Sequence, residues 1–308
     1  MIKKCDLILM GFSQEESDLI EDLDLKYSNR ISSLVKAYVS ELKDKDCFLS
    51  YTGEERNDSY IRAVEFINSV NKEIPEIDEY ASRLLGWLNC VPYLHESYKK
   101  HGLDDNLFYD TMKDFSYKFK ECQAVHGAFG LFVDWFFLLF ELRMFTLGRL
   151  QYEVSSFMFD EYSYLKKGDT VYSCHIPSSG KLTEDLCLES FQRAYEFFKP
   201  NLSGNLIPII SHTWLLYKPY AEFVFPKDSN LFRFANLFDV VDCTCTSNRF
   251  DDAWRVFNKD YDGDVSTLPS DNRLRCNFIN YIKNGGDFGY GYGIIIYNGE
   301  TGEIVNRK

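Results

Sequence analysis

The chain carries five histidines, and two of them stand where an α/β sheet collects its ligands. His175 follows the apolar run 170–174, and His212 lies near the end of LIPIISHTWLL, residues 206–216. Ligands of open α/β sheets gather beyond the carboxyl ends of the strands. An imidazole there titrates near neutral pH and can take a proton from a reacting group. The competing reading is a core histidine bonded to a carbonyl. After His175 the chain reads Pro177-Ser178-Ser179-Gly180-Lys181, and a helix is predicted from Thr183. A strand, a small-residue turn and a capped helix together offer free backbone N–H groups to an anion. Against this, Glu184 and Asp185 occupy the first helical turn, where they already satisfy the dipole and repel a phosphate. Phosphate cradle and ordinary turn both stay open on these residues.

Other chemistries are excluded by direction or spacing. Neighbouring side chains on a strand point to opposite faces, so Ser211-His212 is no nucleophile–base pair and lacks the G-x-S-x-G elbow. Cys174-His175 fails as a thiol dyad for the same reason. The loop NKDYDGD, residues 258–264, begins like a calcium loop, but its twelfth position is Pro269 rather than a bidentate Glu, so it reads as an acidic surface loop. The nine cysteines include no CxxC pair and mostly sit in apolar stretches. They read as reduced thiols in a cytoplasmic protein. Cys243 and Cys245 read as two residues on one strand face, and no metal is expected.

The elements that must hold these residues fall into two blocks. Ser13 and Glu16 have capping-box spacing ahead of Leu19, Ile20 and Leu23. Helical stripes follow over 31–42, 60–70, 77–98 and 106–121, the last capped by Asp104 or Asp105. The run VHGAFGLFVDWFFLLFELRMF, residues 125–145, reads as one buried helix, because Asp134, Glu141 and Arg143 make it a costly membrane span. It would serve as an interdomain core or as the face of a homodimer. From 147 the pattern changes to strands over 147–159, 168–176 and 206–216, helices over 183–198, 219–224 and 274–282, and a terminal hairpin turning at NGETG. Helices first, then alternating strands and helices, predict a helical domain over 1–145 and an α/β domain over 146–308.

The net charge is −13, and neither half is basic. That argues against nucleic acid and anionic membranes as partners. The short apolar run at the N-terminus lacks a small-residue cleavage site, so no signal peptide is expected.

LGRLQYE (147–153), the HIPSSG core with Leu182, SHTWLL (211–216), residues 230–234, DDAWRVF (251–257), Leu268-Pro269 and the glycine-rich ending 285–291, with the helical stretch 94–145 before them, together resemble a bacterial family that joins a helical N-acyltransferase N-terminal domain to a GNAT-like C-terminal domain. The resemblance implies an α+β fold whose second domain has a mixed, largely antiparallel sheet. It implies an acyl-CoA co-substrate, acetyl-CoA in the first instance, and direct transfer of the acyl group to a small-molecule amine. Ser178, Ser179, Gly180 and Lys181 would then hold the CoA phosphates, although the GNAT loop Q/R-x-x-G-x-G/A is represented by Gly180 alone. His212 or His175 would be the base, and Tyr217 or Tyr220 would protonate the leaving thiolate. Ser211, where the family often has Cys, and Trp214 would line the substrate pocket. The alternative is a GNAT-fold module that has lost CoA and binds a small ligand or a protein.

Overall fold

The computed structural model describes residues 2–45, 47–51, 53, 55–247 and 249–307. The chain divides into two compact units: Met1–Thr146 with Pro177–Ser179, and Leu147–Ile176 with Gly180–Lys308.

The first unit is built of α1 (Lys4–Leu9), α2 (Gln14–Lys45), α3 (Glu55–Glu73), α4 (Glu79–Lys100), α5 (Asp105–His126) and the single turn α6 (Phe137–Phe140). The capping box closes as the spacing predicts. The Ser13 N–H donates to Glu16 Oε2 at 2.7 Å, and the Glu16 N–H donates to Ser13 Oγ at 3.2 Å. The two stripes behind it join into one helix of 32 residues. Asp104 caps α5 by accepting from the Leu107 N–H at 2.9 Å. The core is aromatic: Tyr38 stacks on Phe66 at 4.5 Å, and Trp87 stacks on Phe140 at 5.1 Å.

The helix predicted over 125–145 does not form as one element. α5 ends at His126, and the chain then runs without regular structure to α6. Gly130 decides this. It adopts a φ of 154° against the Tyr80 backbone, where a Cβ would lie 2.1 Å from the carbonyl. The Leu131 N–H then donates to the Tyr80 carbonyl at 3.0 Å. Leu131, Val133 and 136–140 are buried as expected, but as loop and one turn. Apolar content reports burial, and it does not by itself report helix. Among the described residues, no helix is long and apolar enough to cross a membrane.

At the boundary, β1 (Met144–Leu147) leads into β2 (Leu150–Ser156), the small hairpin β3 (Glu161–Tyr162) and β4 (Leu165–Lys166), and β5 (Thr170–His175). Next come α7 (Glu184–Phe198), β6 (Leu206–Thr213), α8 (Lys218–Phe223), α9 (Asn230–Ala235) and β7 (Asp239–Ser247). The chain finishes with α10 (Ala253–Phe257), α11 (Arg273–Lys283), β8 (Phe288–Asn298) and β9 (Glu303–Ile304). The sheet of the second unit runs β2-β5-β6-β8-β7, with β9 on β8. Among the described residues β5 and β6 pair parallel, and the other neighbours in it pair antiparallel. The sheet is therefore mixed and largely antiparallel.

α7 covers one face. Its Phe198 packs on Tyr172 at 4.2 Å, and its Ser190 meets the Tyr152 hydroxyl at 3.0 Å. The opposite face holds a second core of Phe157, Val171, Ile210, Tyr292, Ile294 and Ile296. Cys243 and Cys245 are alternate residues of β7, opposite Gly291 and Gly289. All nine cysteines are free thiols. In the loop 258–264 the acidic side chains serve the backbone: Asp262 accepts from the Asp264 N–H, and Asp264 accepts from the Ser266 N–H. Among the described residues, no three His, Cys, Asp or Glu side chains are grouped to hold a metal ion.

Candidate active site

The two parallel strands part where chemistry was expected. β5 and β6 are paired only at Tyr172–Ile209 and Ser173–Ile210. Yet β5 continues to His175, bound to β2, and β6 continues to Thr213, bound to β8. Each strand stays with its antiparallel neighbour, so the pair opens toward its carboxyl ends. Ser211 sits at that opening, fully buried, and its Oγ donates to the Cys174 carbonyl at 3.0 Å. It satisfies a carbonyl that the strand pairing has abandoned. Ser211→Ala leaves that acceptor without its donor and is expected to cost about 1–2 kcal/mol, read as a lower midpoint in a denaturant titration.

Strand register puts the two histidines on one face. Ser173 and Ile210 are partners across the parallel pair, so His175 and His212, each two residues further, share that face. Glu153 and Gln151 on β2 join it as the partners of Ser173 and His175. So does Tyr292 on β8, the partner of His212. His175 is half-exposed, and its Nε2 lies 3.2 Å from Oε2 of Glu153, whose side chain is 4% exposed. Held as a donor to that carboxylate, Nε2 leaves Nδ1 as the basic nitrogen of the neutral ring. His212 is exposed between Tyr290 at 5.7 Å and Tyr292 at 6.1 Å. Loss of water around the ring holds its pKa below the ordinary histidine range, while the Asp242 carboxylate pulls it partly back. It is therefore neutral, and able to accept a proton, at pH 7.

The Cys174 thiol and Ser211 lie on the other face. Burial pushes the Cys174 thiol up to about 12, which removes it as a nucleophile. Trp214 and Leu215–Leu216 form a short 3-10 turn after β6, and Trp214 leans on Phe278 at 5.9 Å. Tyr217 and Tyr220 follow, and both are buried. Tyr220 is ringed by Tyr217, Phe225, Phe250, Phe278 and Tyr281. Burial raises both phenols well above the usual tyrosine range, and the Cys245 thiol beside the Tyr217 hydroxyl adds to it.

The small-residue turn is divided between the two units. Pro177–Ser179 cluster with the first unit, where the Ser178 hydroxyl donates to Glu121. The Ser179 hydroxyl is buried and has no hydrogen-bond partner among the described residues. Gly180 and Lys181 stay with the sheet, and the buried Arg149 donates to both of their carbonyls at 3.0 Å. Thr183 stands at the N-cap of α7 but makes no side-chain cap, so the first N–H groups of this 15-residue helix remain available. Glu184 pairs with Arg307 at 2.8 Å, and as a pair near the surface it offsets only part of the repulsion that the sequence suggested.

Glu153, Arg149 and the tyrosines of β8 were not singled out from the sequence. For β8 the signal was present. GYGYG alternates with period two, placing Tyr290 and Tyr292 beside His212 and the glycines on the opposite face. Nothing local marks Glu153, an acid within an apolar strand, as the partner of His175.

A model of the N-acyltransferase N-terminal domain matches residues 18–142, and one of the GNAT-like C-terminal domain matches residues 144–295. No curated protein matches the sequence. In fold the chain is similar to an acyltransferase solved in complex with CoA and 10C-teicoplanin, with a TM-score of 0.61 and 18% identity, covering 96% of this chain and 99% of that one. A mutant acyltransferase in complex with octanoyl-CoA gives the same TM-score and identity over 94% and 98%. An acyltransferase in complex with decanoyl-CoA gives a TM-score of 0.59 at 16% identity, over 96% and 99%. With both domain models in chain order and the same architecture throughout, the chain belongs to the acyltransferase family that joins an N-acyltransferase N-terminal domain to a GNAT-like C-terminal domain.

Proposed function

We propose that this protein, with a helical domain over 1–145 and an acyltransferase domain over 146–308, moves an acyl group from acyl-CoA directly to an amine on a small molecule. The observation that carries the reading is the parallel pair β5–β6, which loses its pairing beyond Ser173 and Ile210 while both strands continue. Unpaired backbone groups at such an opening can bond the amides of a pantetheine arm. The uncapped N-terminus of α7, with Gly180 and Lys181 before it, suits a diphosphate. Ser178 and Ser179 precede these residues in the chain and complete the phosphate-binding loop in this reading. Acetyl-CoA is the simplest donor; the octanoyl and decanoyl thioesters bound by similar structures make longer acyl chains equally natural ones.

In this reading His212 accepts the proton that the amine loses as its nitrogen attacks the thioester carbonyl. The tetrahedral intermediate collapses by breaking the C–S bond, giving an amide and the CoA thiolate, which takes up a proton. His175, oriented by Glu153, is the second candidate base on the same face. Ser211 and Trp214 shape the opening and its margin. The buried setting of Tyr217 and Tyr220 favours packing over proton delivery to the thiolate. The second reading, a GNAT-fold module that binds without catalysis, is favoured by the missing glycine pattern around Gly180.

One experiment separates them. Acetyl-, octanoyl- and decanoyl-CoA are titrated in a thermal-shift assay, and free thiol is followed with a panel of small primary amines. Ligand at a hundred times Kd should stabilise the native state by about 2.7 kcal/mol. If no CoA thioester shifts the melting temperature at millimolar concentration, the acyltransferase reading fails. Stabilisation without thiol release from any amine supports the binding module.

A further inference from the structure

A turn that holds phosphate needs adjacent backbone N–H groups aimed to one side. The glycine pattern that would arrange them is represented here by Gly180 alone. A side chain 31 positions earlier arranges the turn instead. Arg149 is 8% exposed. Its Nε donates to the Lys181 carbonyl and its Nη2 to the Gly180 carbonyl, each at 3.0 Å. Those two nitrogens lie along one edge of a planar guanidinium, so both carbonyls are drawn to the same side. The peptide bonds are trans, and in a trans peptide the N–H points opposite to the C=O. The N–H groups of Lys181 and Leu182, which belong to those two peptides, therefore both point away from Arg149. Neither has a hydrogen-bond partner among the described residues. Gly180 supplies the one unusual backbone angle, a φ of 106°, which suits a residue without Cβ. The first N–H groups of α7 come next, and the Thr183 side chain leaves them uncapped.

Arg149 is itself placed from α7. It stands in the turn between β1 and β2. The Ser190 hydroxyl of α7, fully buried, donates to the Leu147 carbonyl at 2.5 Å and accepts from the Leu150 N–H at 3.2 Å. One contact falls on each side of that turn. The helix thus fixes the turn, the turn fixes Arg149, and Arg149 fixes the connection that leads into the same helix. The fork is specific to arginine. A lysine ammonium in its place is a single point donor, and an apolar side chain holds neither carbonyl.

We infer that Arg149 is a positioning residue for the donor: it takes over the role of the missing glycines by turning the Lys181 and Leu182 N–H groups toward the CoA diphosphate. This rests on the acyl-CoA reading above and adds a selectivity to it, for thioesters that carry the diphosphate. The test takes whichever of acetyl-, octanoyl- and decanoyl-CoA binds the parent most tightly. It is compared with the matching S-acyl pantetheine, which keeps the thioester and its amides and lacks the diphosphate. Both are titrated calorimetrically into the full chain without an acceptor. The parent is expected to prefer the CoA thioester. Arg149→Lys keeps the charge and loses the fork. It should bind the CoA thioester about tenfold more weakly and the pantetheine thioester within about twofold of the parent. Arg149→Met should weaken the CoA thioester further and again spare the truncated one. Both ligands are measured on one preparation, so loss of folded protein affects them alike. If Arg149→Lys weakens both ligands equally, or leaves the CoA thioester unchanged, the inference is overturned and the acyl-CoA reading stands. If the parent binds none of the three CoA thioesters, that reading fails and the inference falls with it.

Discussion

His212→Gln is expected to lower kcat/KM for acyl transfer by about 10²- to 10⁴-fold, the usual contribution of a positioned base. Acyl-CoA binding should survive, since the imidazole stands on the sheet face flanked by Tyr290 and Tyr292 and not at the helix N-terminus. The pH profile gives the sharper readout. A base must be neutral to act, and partial loss of water around the ring, although the residue as a whole is exposed, holds the His212 pKa below its ordinary 6.5. Activity should therefore be flat across neutral pH on this group's account and be lost as pH falls through that lowered value. In His212→Gln this acid limb should vanish. Asp242→Asn removes the charge that pulls the pKa back up, so the limb should move to still lower pH. If His212→Gln keeps activity within about twofold of the parent and also keeps the acid limb, the base is another group, with His175 first in line.

Gly291→Ala is expected to be the most damaging small substitution in the second unit. An added Cβ would lie 2.0 Å from the Leu216 carbonyl oxygen and 2.4 Å from its carbon. Both are backbone atoms, so no side chain can swing aside. Either β8 shifts or the turn Trp214–Leu216 is pushed out. Overpacking of this kind costs about 3 kcal/mol, which in a chain of this size lowers Tm by roughly 6–12 °C. The same displacement moves the segment that follows His212, so kcat should fall even at temperatures where the variant is folded. Gly204→Ala is the control. Nothing lies within 4 Å of its added methyl, and its Tm should stay within about 2 °C of the parent. A Gly291→Ala protein that melts with the parent would mean that the sheet does not need this close approach.

Both predictions arise from one strand, and that strand shows how unevenly the sequence reveals the site. Its boundaries and its terminal hairpin were legible. Its alternation was also in plain view: aromatic on one face, glycine on the other. What the alternation serves was not legible, because Tyr292 meets His212 and Gly291 meets Leu216 only through pairing across about 80 residues of chain. His175 and His212 are the converse case. Their places near two strand ends could be read locally, and their shared face followed once the parallel register was known. The long apolar run over 125–145 misled, because burial and helix leave the same composition and Gly130 cast the deciding vote through contact with Tyr80.

The phosphate-binding turn divides the same way. Strand, small residues and helix at 170–198 were set by local pattern. The fate of its members was decided at a distance. Glu184 is drawn to Arg307, and Ser178 gives its hydroxyl to Glu121. Gly180 and Lys181 are fastened by Arg149.

By itself, then, the sequence determined the order of helices and strands, the capping of α2 and α5, and the residue types available for proton transfer, since these depend on neighbours a few positions away. The tertiary structure alone decided where β5 and β6 part, which carboxylate orients His175, and which tyrosines flank His212 while others are sealed in the core. Those outcomes depend on strand register and on contacts between residues tens of positions apart, which no local periodicity encodes.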